Sequence, residues 1–364
     1  MRKISAVVMP KPEKDLEIRQ FPEPELENGS VLLKTSFADV CGTDVHLFHG
    51  KLAGVPYPII PGHVSVGTIA KLKGTVYDIH GKKFKEGDMV TFLDVHATCN
   101  ACWYCLVAKA STRCPQRKVY GITYGTKDGI CGGWSEYIYL KPGTKLLRLP
   151  KNVSPEQFVT CGCGLPTAIH AIELAKIQLT DTVVVQGSGP VGLMATGLSS
   201  RSGAGKIITI GAPKSRLQIA KKIGATEIID ISEYKESERR KLILDLTDGR
   251  GADIAIECTG NPKAVQEGLN LVRDNGRYVI VGQYTDHGTV DINPHLQINK
   301  KHLEIRGCWG SDFSHFYRAT EILRHFGSQF STTTITNKKY QLSDTQKALE
   351  DIEQLKITKA IIEF

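Results

Sequence analysis

Residues 183–195 read VVVQGSGPVGLMA, and the fold is decided there. A β-branched run suits a buried strand. It passes directly into Gly187-x-Gly189-x-x-Gly192, where Pro190 and Val191 open a helical pattern that continues through LMATGLSSRSG. The first glycine allows a tight turn, and the second lets the backbone approach a pyrophosphate. The third lets helix and strand pack closely, while the helix N-terminus favours the anion. A lone G-x-G-x-x-G is weak, since a tight turn that binds nothing has the same spelling. Here the flanks add weight: KIITIGA, KSRLQIAKKIG, TEIIDI, ADIAIECTG and GRYVIVGQY continue the alternation of strand and helix. That alternation predicts an α/β domain with a parallel, doubly wound sheet and right-handed crossovers.

The second strand of that series ends at Gly211, where an NAD-binding fold carries an acid for the ribose hydroxyls. Without the acid there is no repulsion against a 2′-phosphate. Lys214, Ser215 and Arg216 follow, two cations and a hydroxyl suited to that phosphate. NADP is therefore expected in preference to NAD. The simpler reading is that Lys214 and Arg216 only open a solvated helix.

Upstream of about residue 160 the pattern differs. Short β-like runs such as SVLLKTSFADV, GDMVTFLDV and WSEYIYL are separated by turn residues, which predicts a barrel-like antiparallel domain. Within it, Cys99, Cys102, Cys105 and Cys114 follow C-x2-C-x2-C-x8-C. Four thiolates on tight turns can enclose one tetrahedral Zn²⁺ with no open position, the structural kind of site. A second set is dispersed: Cys41 in VCGTDVH, His63 in PGHVSVG and Cys163 in CGCGLPT. Two thiolates and an imidazole would leave a fourth zinc position for water or a substrate oxygen. Spacing alone does not join three such distant residues. A lone histidine is more often packed or solvated, and Cys163 could belong to a core.

With 364 residues the chain is long enough for two domains. Its 41% hydrophobic and 23% charged content are ordinary for a globular protein. No apolar run approaches the roughly 20 residues of a membrane span, and MRKISAVVMPKPEKD shows no signal peptide, so a cytoplasmic location is expected. The net charge of +8 is spread without a nucleic-acid recognition motif, so neither nucleic acid nor membrane is an expected partner. Ten cysteines with no secretion signal favour metal ligation over disulfides. Cys258 and Cys308 are read as packing residues.

VCGTDVH, PGH, the four-cysteine lobe, GGWSEYI, QGSGPVG and ECTG occur in one order. In that order the chain resembles the zinc-dependent medium-chain alcohol dehydrogenases over essentially its whole length. That broad family includes sorbitol- and threonine-dehydrogenase-like members. The resemblance implies a GroES-like β-barrel catalytic domain over residues 1–164 and an NAD(P)-binding Rossmann domain over 165–302. Residues 303–364 would return to the first domain, and the active site would lie in the cleft. It implies that Cys41, His63 and Cys163 hold a catalytic zinc, with Cys161 the alternative to Cys163 because the CGC doublet leaves the alignment open. Thr43 would pass on the substrate hydroxyl proton, His46 would continue the relay to solvent, and Asp44 would orient the zinc-bound imidazole. Local turn hydrogen bonding is the plainer role for these three. Thr259 of ECTG would join Gly187, Gly189, Pro190, Val191, Gly192, Gly211, Lys214 and Arg216 at the cofactor.

Two departures stand out. Val64 replaces the Glu that the family carries after the ligand histidine, near the metal, where it assists ligand exchange. The last spacing in the four-cysteine lobe is one residue longer than usual. The expected activity is hydride transfer between NAD(P) and a small-molecule alcohol or carbonyl, with two zinc ions per chain, in a homodimer or homotetramer. An NADPH-dependent reductase of an activated C=C bond is the alternative, favoured by Val64 and opposed by Thr43 and His46. A non-catalytic binding protein would lose its ligands first, and here they persist.

Overall fold

The run TVVVQ, Thr182–Gln186, is an inner strand of a six-stranded sheet whose neighbours all pair in parallel. In spatial order the strands are Glu227–Asp230, Lys206–Gly211, Thr182–Gln186, Ala252–Glu257, Val272–Ile280 and Glu304–Gly307. By chain order within the sheet this is 3-2-1-4-5-6, the arrangement of a dinucleotide-binding fold. Val184 lies opposite Ile208 on one side and Ala255 on the other. These three pack with Ile229, Leu269 and Tyr278 in one buried core. Both faces of such a sheet are covered, so its strands are apolar throughout rather than alternating. Helix Pro190–Arg201 begins with Gly189 as N-cap and proline in its first turn, where a missing N–H is harmless. Helix Pro262–Leu271 is capped by Asn261, whose side chain accepts from the Lys263 N–H at 3.0 Å.

This computed structural model describes residues 2–331, 335 and 337–364. The chain forms two compact units. One comprises the residues up to Gly162 together with Asp312–Gly327 and Ile335–Phe364; the other comprises Cys163–Ser311 and a short piece beginning at Ser328. The division differs from the expected boundary near residue 303. Glu304–Gly307 is the outermost strand of the parallel sheet, bonded to Val272–Ile280, and the chain rejoins the first unit at Asp312. The sheet claims this strand through backbone pairing, which a short polar run such as EIRG does not advertise.

The first unit is built on a mainly antiparallel, seven-stranded sheet. Its long strand, Val31–Val40, has three partners. Ser65–Leu72 runs along one edge, while Tyr137–Leu140 and Lys359–Glu363 share the other. Register shifts at Leu32/Leu33 and Thr35/Phe37 bend it, as bulges do. The interior is filled by Leu33, Ile69, Phe92, Tyr120 and Ile138 among others. The final β-like run KAIIEF is thus an inner strand here, parallel to Asn337–Tyr340 and antiparallel to Val31–Val40. No single helix among the described residues is long and apolar enough to cross a membrane.

Close approach at Gly192 is a strict condition of the second unit. A Cβ there would lie 2.0 Å from the Gly187 carbonyl oxygen, a backbone atom. Gly192→Ala should therefore push the helix off its strand and cost about 1–3 kcal/mol. Equilibrium chemical denaturation should show a lower midpoint, and an unchanged midpoint would contradict this packing.

Candidate active site

Cys99, Cys102, Cys105 and Cys114 bring their sulfurs within 4.8 Å of one another. The Cys102–Cys105 and Cys99–Cys114 separations are both 3.6 Å, and Cys102–Cys114 is 4.0 Å. A tetrahedral zinc with bonds of about 2.3 Å spaces its sulfurs about 3.8 Å apart, so the cage fits the ion. The Cys99 N–H donates to the Cys114 sulfur and the Cys102 N–H to the Cys99 sulfur, each at 3.3 Å. Hydrogen bonds, led by the Ala101 N–H, bring the Cys99 thiol down to about 6. Desolvation pushes Cys105 up to about 12.

The dispersed set meets through the long strand. Cys41 directly follows Val31–Val40 and precedes helix Gly42–Phe48. His63 lies two residues before Ser65–Leu72, and the antiparallel register sets Ala38 opposite Ser65. Adjacent strand ends therefore carry the two candidate donors, with Cys41 Sγ 3.8 Å from His63 Nε2. Cys163 comes immediately after Gly162 in the chain. Gly162 has φ +48°, and a Cβ on it would lie 2.6 Å from Lys359 Nζ. Donor atoms of Asp39, Cys41, His63 and Cys163 all fall within 4.8 Å of one another. Cys161, in helix Pro155–Cys161, is not one of those donors; burial pushes its thiol up to about 12.

Two thiols and an imidazole are the borderline-soft donors zinc prefers. Asp39, Cys41, Asp44 and His63 are all buried. Asp44 Oδ2 accepts from the Cys41 N–H at 2.9 Å, whereas Asp44 Oδ1 and His63 Nδ1 have no hydrogen-bond partner. Desolvation raises both the Asp39 and the Asp44 carboxyl groups, with the Cys41 thiolate adding to it. Burial alone would lower the imidazole of His63, but the Cys41 thiolate carries it well above the usual range. Thr43 and His46 are half-buried on the same short helix, in its first and last turns. Asp39 and Lys359 were not singled out from sequence. The available signals were a lone acid closing an otherwise apolar strand end, ADV, and a lone lysine opening KAIIEF.

At the nucleotide loop, Gly187 has φ +111°, and a Cβ on Gly189 would meet nothing within 4 Å. The loop backbone is thus open to a ligand where a pyrophosphate would approach. A Cβ on Gly211 would lie 2.5 Å from Ser188 Oγ, and that hydroxyl donates to the Ala212 carbonyl at 2.9 Å. Ser188 therefore occupies the space beside the missing acid. Lys214 is exposed and pairs with Glu233 at 3.3 Å, while Arg216 is buried. Thr259 donates its hydroxyl to Glu257 Oε1 at 2.6 Å. Glu257, also missed from sequence, is fully buried and further accepts from the N–H groups of Thr259, Gly260 and Gly282. It ties together the loops that follow two adjacent strands.

Comparison with known proteins shows the family. Residues 27–151 match the alcohol dehydrogenase GroES-like domain and residues 190–325 the zinc-binding dehydrogenase family. The chain belongs to the zinc-dependent medium-chain alcohol dehydrogenase family. The dehydrogenase is 32% identical to 5-exo-hydroxycamphor dehydrogenase of Pseudomonas putida over 92% of both chains. It is 31% identical to sorbitol dehydrogenase of Bacillus subtilis, over 94% of this chain and 92% of that one. The solved alcohol dehydrogenase of Thermotoga maritima covers 100% of both chains with a TM-score of 0.94 and 33% identity. The dehydrogenase is an NAD(P)-dependent alcohol oxidoreductase, and its fold pairs a GroES-like domain with a Rossmann sheet.

The two candidate metal centres should separate experimentally. Cys99→Ser should lower the zinc content of the dehydrogenase by about one ion per chain and leave the Cys41 centre loaded; Cys41→Ser should do the reverse. Atomic emission on the purified, chelator-washed variants reads this directly. Loss of all metal in the Cys99 variant alone would show that only the four-cysteine lobe binds zinc.

Proposed function

We propose that Cys41, His63 and Cys163 hold a zinc at which an alcohol is oxidised, or its carbonyl reduced, with NADP as the cofactor. The observation that carries this is the convergence of those three donors from distant parts of the chain. A zinc held there would make a bound alcohol more acidic or a carbonyl more electrophilic, while nicotinamide supplies the hydride chemistry. The residues of the chain do the rest. Thr43, two positions after the Cys41 ligand, accepts the substrate hydroxyl proton. His46, one turn further along the helix, passes it to solvent. Asp44 holds the Cys41 backbone and thereby the turn that presents both.

Support for NADP comes from the second parallel strand. Gly211 presents no carboxylate, Ser188 fills its flank, and Lys214 stands exposed at the start of helix Lys214–Ile223. Gly187, Gly189, Pro190, Val191, Gly192 and Thr259 complete the cofactor site, with Arg216 supporting the helix from its buried position. The four-cysteine loop exposes Trp103, Tyr104, Leu106 and Val107, an apolar surface that favours self-association as a homodimer or homotetramer. The expected location is cytoplasmic.

Turnover with NADP⁺ and NAD⁺ across a panel of alcohols tests the reading. Cys41→Ser should abolish oxidation yet keep dinucleotide affinity, measured by fluorescence titration. Lys214→Ala should lower kcat/KM for NADP⁺ about tenfold and spare NAD⁺. A wild-type preference for NAD⁺ would overturn the cofactor assignment. Saturation of an enal's C=C bond, rather than reduction of its carbonyl, would overturn the reaction.

A further inference from the structure

The donor group around Cys41 holds one member that the hydride-transfer reading does not use. Asp39 contributes a carboxylate oxygen within 4.8 Å of the Cys41, His63 and Cys163 donors. Its backbone is fixed on every side: its N–H donates to the Val64 carbonyl at 3.0 Å, its carbonyl accepts from Trp134 Nε1 at 2.9 Å, and it sits opposite Ile361 across the sheet. The side chain is fully buried, and Oδ2 accepts from Lys359 Nζ at 2.6 Å. Lys359 is equally buried, at 1% exposure. Oδ1 has no hydrogen-bond partner.

A buried ion pair is favourable only when the remaining lone pairs and protons are also satisfied. Here one carboxylate oxygen is out of water and unmatched, which is costly. The carboxylate lies among two thiols and an imidazole, the company of a metal ion and poor partners for an anion. Carboxylate oxygen is an ordinary zinc ligand, and two sulfurs, one nitrogen and one oxygen complete a tetrahedron. Val64, next to the imidazole, offers no donor of its own.

On the reading that Cys41, His63 and Cys163 hold a metal, we infer that Asp39 is its fourth, displaceable ligand, and that the Lys359 ammonium sets how readily it yields. With Asp39 bound the centre is closed. An incoming oxygen or nitrogen ligand must displace the carboxylate, and Lys359, already bonded to its other oxygen, keeps the released anion from being a bare buried charge. Lys359 is thus a positioning residue that acts through Asp39. The turn at Gly162 lies against the pair, 2.9 Å from Asp39 Oδ2 if a Cβ were present, so a bulkier residue there would push into the same ion pair.

The test uses full-length protein loaded with Co²⁺, taking the Cys41 centre as the visible-absorption difference from Cys41→Ser. Imidazole is the incoming ligand, and a competing chelator reads metal affinity. Asp39→Asn alone would strand the Lys359 charge and could fail to fold, so the Asp39→Asn/Lys359→Met double variant is used beside Lys359→Met. The double variant should bind imidazole about tenfold more tightly and release cobalt to chelator about tenfold more readily, because a ligand has become a vacant position. Lys359→Met alone should move imidazole affinity the opposite way, since the carboxylate then has only the metal as partner. Shifts of the same sign in both variants, or no change in imidazole binding, would leave Asp39–Lys359 as a structural pair and overturn the inference while the metal centre stands. Absence of any Cys41-dependent cobalt band in the wild type would instead remove the metal centre, and the inference with it.

Discussion

Backbone pairing along Val31–Val40 is the constraint on which the candidate site depends. The strand ends in Asp39 and Val40, and Cys41 follows at once. Its pairing with Ser65–Leu72 brings His63 to the same end, and its pairing with Lys359–Glu363 brings the lysine ammonium alongside Asp39. Register in a sheet is quantised, because a slip of one residue sends every side chain to the opposite face. One long strand with partners on both edges therefore sets Cys41, His63, Asp39 and Lys359 in a single arrangement. Asp39, His63 and Lys359, each alone in the interior, would be an unfavourable burial.

Three buried carboxylates show how differently the two units use charge. Glu257 is surrounded by three backbone N–H groups and the Thr259 hydroxyl, so both of its oxygens are occupied and the loops beyond two parallel strands are held together. Such a group acts as a structural anchor beside the nucleotide loop. Asp39 and Asp44 each have one oxygen with a partner and one without. A polar group left unmatched in a folded interior calls for an explanation, and here Asp39 lies among thiol and imidazole donors while Asp44 holds the Cys41 backbone beside them.

The departures from the family pattern are physically connected to their surroundings. At Gly211 the acid expected for NAD is missing, and Ser188 fills the gap at a distance that would not admit even a Cβ on Gly211. At Val64 the carboxylate that the family carries after this histidine is missing, and the donor group contains one from Asp39 on the neighbouring strand. In each case the change at one position is met by a residue that touches it through tertiary contact.

Much of the architecture was legible from local pattern. The β-branched run at 183–185, the glycine spacing after it and the strand–helix alternation specified a parallel sheet, because these are local requirements of backbone and burial. The four cysteines at 99–114 were equally legible, since short loops keep ligands close whatever the rest of the chain does. The strand Glu304–Gly307 was not, because its place at the sheet edge comes from pairing with Val272–Ile280 and not from its own composition. Nor were Asp39, Lys359 and Glu257: a charged residue in an apolar run reads as solvated until its partner is known, and those partners lie 320, 320 and up to 25 residues away. Local pattern along the chain specified most of the elements, and hence the fold class, together with the chemistry of the candidate ligands. Which distant side chains share one buried space was decided by tertiary structure alone, because strand register and loop closure, not local propensity, bring them within bonding range.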